Sequence, residues 1–118
     1  MKYRVLVTGN HDCGIAKYIP LFNEIYRGAL FIGEKLLLSH EPIDLPFALN
    51  IHGHTHGEKG YHYDINHFNV CSNCVNFEPQ NLQEIIKTSN LKDIKTIHRL
   101  AIDKAIERKE NEKSMATL

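Results

Sequence analysis

The sequence predicts one α/β domain spanning residues 1–118. Short apolar runs fill its first two thirds, with Gly, Asn, Asp, Ser, Pro and His punctuating them. Pro79 then closes this region. Beyond it, charged residues alternate with apolar ones at helical spacing. Apolar residues make up 42% of the chain, enough for one core.

Tyr3 to Thr8 reads as a buried strand ending at Gly9. Residues 9 to 14 form a loop, and residues 15 to 25 hold one or two helical turns interrupted at Pro20. Tyr26 to Ile32 and Lys35 to Ser39 are expected as a hairpin closed by Gly33-Glu34. A loop with prolines at 42 and 46 leads to a strand at Ala48 to Ile51. A His-rich loop at 52 to 62 follows, then a strand from His67 to Val75. Asn81 and Glu84 have the spacing of a capping box, which starts a helix reaching about Thr88. A second helix is expected from about Lys92 to Lys109. Ile94, Ile97, Ala101 and Ala105 would share one face of it, and the tail from Arg108 would fray.

Composition narrows the function. Fourteen basic residues balance fourteen acidic ones, so no strong nucleic-acid patch is expected. No apolar run approaches the roughly 18 residues of a membrane span. Three cysteines do not suit a secreted disulfide scaffold, and a cytoplasmic setting fits best. Eight histidines are present, six of them between His40 and His67.

Three clusters share one pattern: Gly9-Asn10-His11-Asp12, Ser39-His40-Glu41-Pro42 and Gly53-His54-Thr55-His56. Each follows an apolar strand-like run, and in open α/β sheets ligands gather at the carboxyl ends of strands. His54 and His56, two apart between Gly53 and Gly57, suit a loop rather than one helix face. Imidazoles bind zinc, iron, manganese and nickel, and an asparagine carbonyl can join them. His11 can handle a proton, and Asp12 can fix its tautomer. Each cluster alone is equally a structural histidine or an ordinary polar loop. Together they point to a metal site.

Taken in this order, the clusters resemble the later motifs of calcineurin-like metallophosphoesterases. Phe68-Asn69-Val70 and Asn76-Phe77-Glu78-Pro79 resemble the closing strand of small members, so the likeness covers about residues 3 to 86. It implies a partial metallophosphoesterase-type β-sandwich with flanking helices. It also implies Asn10, His40 and His54 as ligands of one divalent ion (Mn²⁺, Fe or Zn²⁺) and His56 as a ligand of another. His11 and Asp12 become the catalytic pair, acting on a phosphate-ester or nucleotide substrate by two-metal hydrolysis.

The family's Asp-x-His and Gly-Asp motifs do not occur before Gly9. The residues present suit one metal, so three expectations compete: a fragment whose missing half was lost, completion by another chain, or a degenerate relative kept for binding, with a homo-oligomer expected from any exposed edge. Half a sandwich would leave an apolar face and an open strand edge. The reading from another class is a non-catalytic metal-binding or assembly module. A zinc or redox site on Cys71 and Cys74 ranks below both, because i and i+3 on a strand point to opposite faces. His52 is expected to be structural, and His62 and His67 to lie on surface loops.

Overall fold

Where the chain carries short β-branched and leucine runs it forms strands, and the strands assort into two small sheets. The computed structural model describes residues 3–10, 12, 14–55, 64–72 and 75–116. The first sheet pairs β1 (Val5–Val7) with β2 (Glu24–Tyr26) in parallel. The second has the order β3 (Leu30–Ile32), β4 (Leu36–Ser39), β5 (Leu49–His52), β6 (His67–Asn69). Its β3–β4 pair is antiparallel, while β4–β5 and β5–β6 are parallel. Two α-helices follow, α1 (Leu82–Thr88) and α2 (Ile97–Ala116). The class is therefore mixed α/β with two small sheets.

Register sorts the second sheet's side chains into two faces. Leu36 lies beside Leu49, Leu38 beside Ile51, and Ile51 beside Phe68. These form the apolar face, covered by Ile85 of α1 and by Ile94. On the opposite face Asn50 lies beside His67, and His52 beside Asn69. All four are buried, none more than 4% exposed. Burying amides and imidazoles is costly unless they are hydrogen-bonded, and among the described residues no buried side-chain polar atom lacks a partner.

Several boundaries differ from the sequence expectation, each for a local reason. The expected strand at Tyr26 to Ile32 splits at Arg27-Gly28-Ala29: Tyr26 belongs to the first sheet and Leu30 to the second. The hairpin loop has three residues, Gly33 to Lys35, and Gly33 takes φ 67°, a conformation glycine adopts without a Cβ clash. β6 stops at Asn69 rather than Val75. The Asn69 Oδ1 accepts from the Cys71 N–H at 2.9 Å, a local bond that competes with the ladder. The residues at 15–17 and 19–21 form two 3₁₀ turns, with Pro20 in the second.

Asn81 caps α1 as its spacing predicts, its side chain accepting from the Gln83 and Glu84 N–H groups. The second helix starts later and ends later than expected. Thr96 Oγ1 accepts from the Arg99 N–H and sets its start, while a 3₁₀ turn at Leu91–Asp93 fills the gap. The expected apolar face is not buried in α2: Ile94 precedes the helix, and Ile97 is 61% exposed. From Ile97 to Met115 only Leu100 and Asp103 are partly buried, so the helix projects and the molecule extends over 64 × 30 × 24 Å. Among the described residues, no helix is long and apolar enough to cross a membrane.

Candidate functional site

Parallel pairing of β4 with β5 puts both carboxyl ends on the same side. Ser39 lies opposite His52, and the Gly53 N–H donates to the His40 carbonyl at 2.9 Å, carrying the pairing one step past the strands. His40 and His54 therefore leave adjacent strand ends. Their rings meet edge to face at 4.8 Å, and a 3.0 Å hydrogen bond joins His40 Nε2 and His54 Nδ1, one nitrogen donating and the other accepting.

Two local devices hold this contact. His54 has φ 63°, and the Thr55 N–H donates to the Gly53 carbonyl at 2.7 Å, which makes a tight three-residue turn. A non-glycine residue in this region carries backbone strain, which the surroundings must hold in place. The second device is Gly9, just past β1. A Cβ there would fall 2.8 Å from His40 Nδ1, so glycine lets the first loop lie flat against the ring. Gly53 and Gly57 flank the His54–His56 pair in the sequence. At Gly53 a Cβ would meet only ordinary contacts, and Gly57 lies outside the described residues.

Asn10, His40 and His54 line one cleft of about 620 Å³, together with Gly53, Val70, Cys71 and Ser72. The structure thus brings together three of the four ligands expected from the sequence. His56 and His11 lie outside the described residues, as do Cys13, His62 and Cys74. Asp12 is half-buried and shapes the loop. Its Oδ2 accepts from the Gly9 N–H at 2.7 Å and its Oδ1 from the Tyr18 hydroxyl at 3.3 Å. Among the described residues, no three His, Cys, Asp or Glu side chains gather closely enough to hold a metal ion. Within that set the donors are two imidazoles and one amide.

Behind the cleft lies the buried polar face, which sequence reasoning did not assemble. Asn50 donates to Ser39 Oγ at 2.9 Å and to the Leu37 carbonyl, and accepts from the Ile43 N–H at 2.8 Å. It thereby brackets the loop that starts at His40. Asn69 donates to the Thr55 carbonyl at 2.9 Å and so holds the turn at His54. His67 is not on a surface loop: it sits in β6 between two carboxylates. Asp64 faces its Nδ1 at 2.7 Å and Asp44 its Nε2 at 2.7 Å. The signal was present in the alternation Leu49-Asn50-Ile51-His52 and His67-Phe68-Asn69, which marks one apolar and one polar face.

Two groups on this face titrate away from their usual ranges. Burial pushes the His52 imidazole down; its ring bonds the Gly53 carbonyl at 3.0 Å, which opposes the shift only in part. Burial raises Asp64, but hydrogen bonds from His67 and the Asn66 N–H outweigh it and leave the carboxyl lowered. Both signs act alike. The unfolded chain binds the His52 proton more readily, so this contribution is full above about pH 6.5 and falls as pH drops toward the lower folded value. The Asp64 contribution is full above about pH 3.9 and is lost below it. The urea midpoint of the metal-free protein should therefore decline in two stages on acidification. A midpoint unchanged between pH 7.5 and 5 would refute the first stage.

Comparison of the chain with protein-family models, with curated proteins and with solved structures returns no match.

Proposed function

We propose that the chain is a metal-dependent phosphoesterase, with Asn10, His40 and His54 holding a divalent ion and His11 serving the leaving oxygen. One observation carries this reading. Two imidazole nitrogens bound to one ion at about 2.0–2.1 Å, at a right angle or somewhat wider, lie about 3 Å apart. His40 Nε2 and His54 Nδ1 are 3.0 Å apart, with Asn10 on the same cleft. Both rings leave strand ends held by buried asparagines, and an ion would replace the hydrogen bond that joins the two nitrogens. The resemblance of the three clusters to calcineurin-like metallophosphoesterases supplies the substrate class.

When bound, such an ion supplies Lewis acidity toward a phosphoryl oxygen. The chain's own contribution is placement. His40 and His54 present nitrogen donors to one point, Asn10 offers an amide beside them, and Asp12 shapes the loop from which His11 would donate. His56 would complete the donor set.

Titration with Zn²⁺, Mn²⁺ and Co²⁺, paired with turnover of bis(p-nitrophenyl) phosphate and p-nitrophenyl phosphate, tests the reading. His40→Ala and His54→Ala should each weaken metal binding by at least about 100-fold and abolish turnover. His11→Ala should keep the metal and lose turnover. Wild-type protein that binds none of the three ions would end the proposal. The sparse donor set among the described residues favours one alternative, a non-catalytic metal-binding or assembly module. Metal binding without metal-stimulated turnover, unaffected by His11→Ala, would select it.

A further inference from the structure

A second cleft, of about 310 Å³, shares Asn10 and His40 with the first. Topology explains its makeup. β1 and β2 run parallel with Val7 opposite Tyr26, and the Thr8 N–H donates to the Tyr26 carbonyl at 3.0 Å. The two chains therefore leave the sheet at the same end, one carrying Asn10 and the other Arg27. Arg27 lines the cleft and is exposed, and it makes no ion pair among the described residues. Gly28 beside it leaves open space, since a Cβ there would meet nothing within 4 Å. Glu41, after His40, lines the same cleft. Its backbone is held by a 2.6 Å bond from the Ser39 hydroxyl to its carbonyl.

The geometry points to this second cleft as an anion subsite in which Arg27 grips the phosphoryl group of a substrate. Guanidinium presents a planar fork of donors that matches two phosphoryl oxygens, and it is charged at every accessible pH. A phosphoryl group seated on Arg27 lies along the wall formed by Asn10 and His40, and so borders the proposed metal cleft. The Glu41 carboxylate opposes it there and disfavours a second anionic group on the same ligand. The favoured class is a phosphate ester with a single anionic centre. This assignment rests on the phosphoesterase reading for its substrate, but the anion site itself does not.

Calorimetric titration of the metal-free full chain with inorganic phosphate, at pH 7.5 and low salt, tests it. Arg27→Ala should weaken binding by about tenfold, and Arg27→Lys by less, because the fork is lost but the charge kept. Glu41→Gln should strengthen binding by about two- to threefold, since it removes an opposing charge. These opposite signs come from one arrangement. No phosphate binding by metal-free wild type, Arg27→Ala within twofold of wild type, or Glu41→Gln weaker than wild type would each overturn the subsite. Phosphate binding that His54→Ala retains and Arg27→Ala loses sustains it, even if the metal titrations fail. Phosphate bound only with metal present, and indifferent to Arg27→Ala, overturns the subsite and leaves the phosphoesterase reading standing.

Discussion

Truncating Phe68 to alanine should cost the fold about 3–5 kcal/mol, the range for a buried aromatic removed from a core. Phe68 is 4% exposed at the centre of β6, beside Ile51, in one cluster with Leu36, Leu49, Ile85 and Ile94. It joins the sheet to the elements that follow, because Ile85 and Ile94 reach the sheet through the same cluster. A small domain holds only about 5–15 kcal/mol in reserve, so this loss is a large part of the total. The thermal midpoint should fall by more than about 10 °C. Phe68→Leu, which keeps most of the volume, should cost less than about 1.5 kcal/mol. Phe77 provides the contrast. It is 78% exposed, and Phe77→Ala should change stability by no more than about 0.5 kcal/mol. Equal losses at 68 and 77 would show that the core has been misplaced.

Apolar runs and their bounding turns made β1, the β3–β4 hairpin and β5 readable, and the Asn81 to Glu84 spacing did the same for the cap. Each depends on interactions within a few residues. Three features were not readable, for different reasons. β2 pairs with β1 across 19 positions of sequence, and nothing local marks Glu24–Tyr26 as its partner. β6 stops early because one side chain, Asn69, takes the Cys71 N–H. In α2, the i, i+3 and i+4 apolar pattern marks one helix face, but the helix leaves the body and exposes Ile97 and Ile106. Salt bridges from Lys95 and Arg99 to Asp103 support its first turns instead, and they hold the Asp103 carboxyl below its usual range.

The candidate site was legible in its residues but not in its supports. Asn10, His40 and His54 could be named because each follows an apolar run, and parallel strands bring such ends together. The contact of Gly9 with the His40 ring, and the brackets of Asn50 and Asn69, needed the sheet register before they could be seen. Arg27 carries no motif at all. Only the pairing of β1 with β2 places it near Asn10.

Among those supports, Asn69 should give the largest effect on the site. It is 1% exposed and bonds in two directions, donating to the Thr55 carbonyl and accepting from the buried Cys71 backbone N–H. Asn69→Ala removes both bonds at once. At about 1–3 kcal/mol for the buried Cys71 N–H, and about 1 kcal/mol for the carbonyl of exposed Thr55, the fold should lose about 2–4 kcal/mol. The larger consequence falls on His54. Its φ of 63° is a conformation that its own chemistry does not favour, and the bond to Thr55 is one of the restraints that hold it. Without that bond the turn can relax to negative φ, which swings the imidazole away from His40. Metal affinity should then fall by about 10- to 100-fold, as it does when the hydrogen-bond partners that orient ligands are removed. Cobalt absorption, read at a temperature where circular dichroism shows the variant still folded, separates this from simple unfolding. A folded Asn69→Ala protein with wild-type cobalt affinity would mean that the His40–His54 contact is held without Asn69.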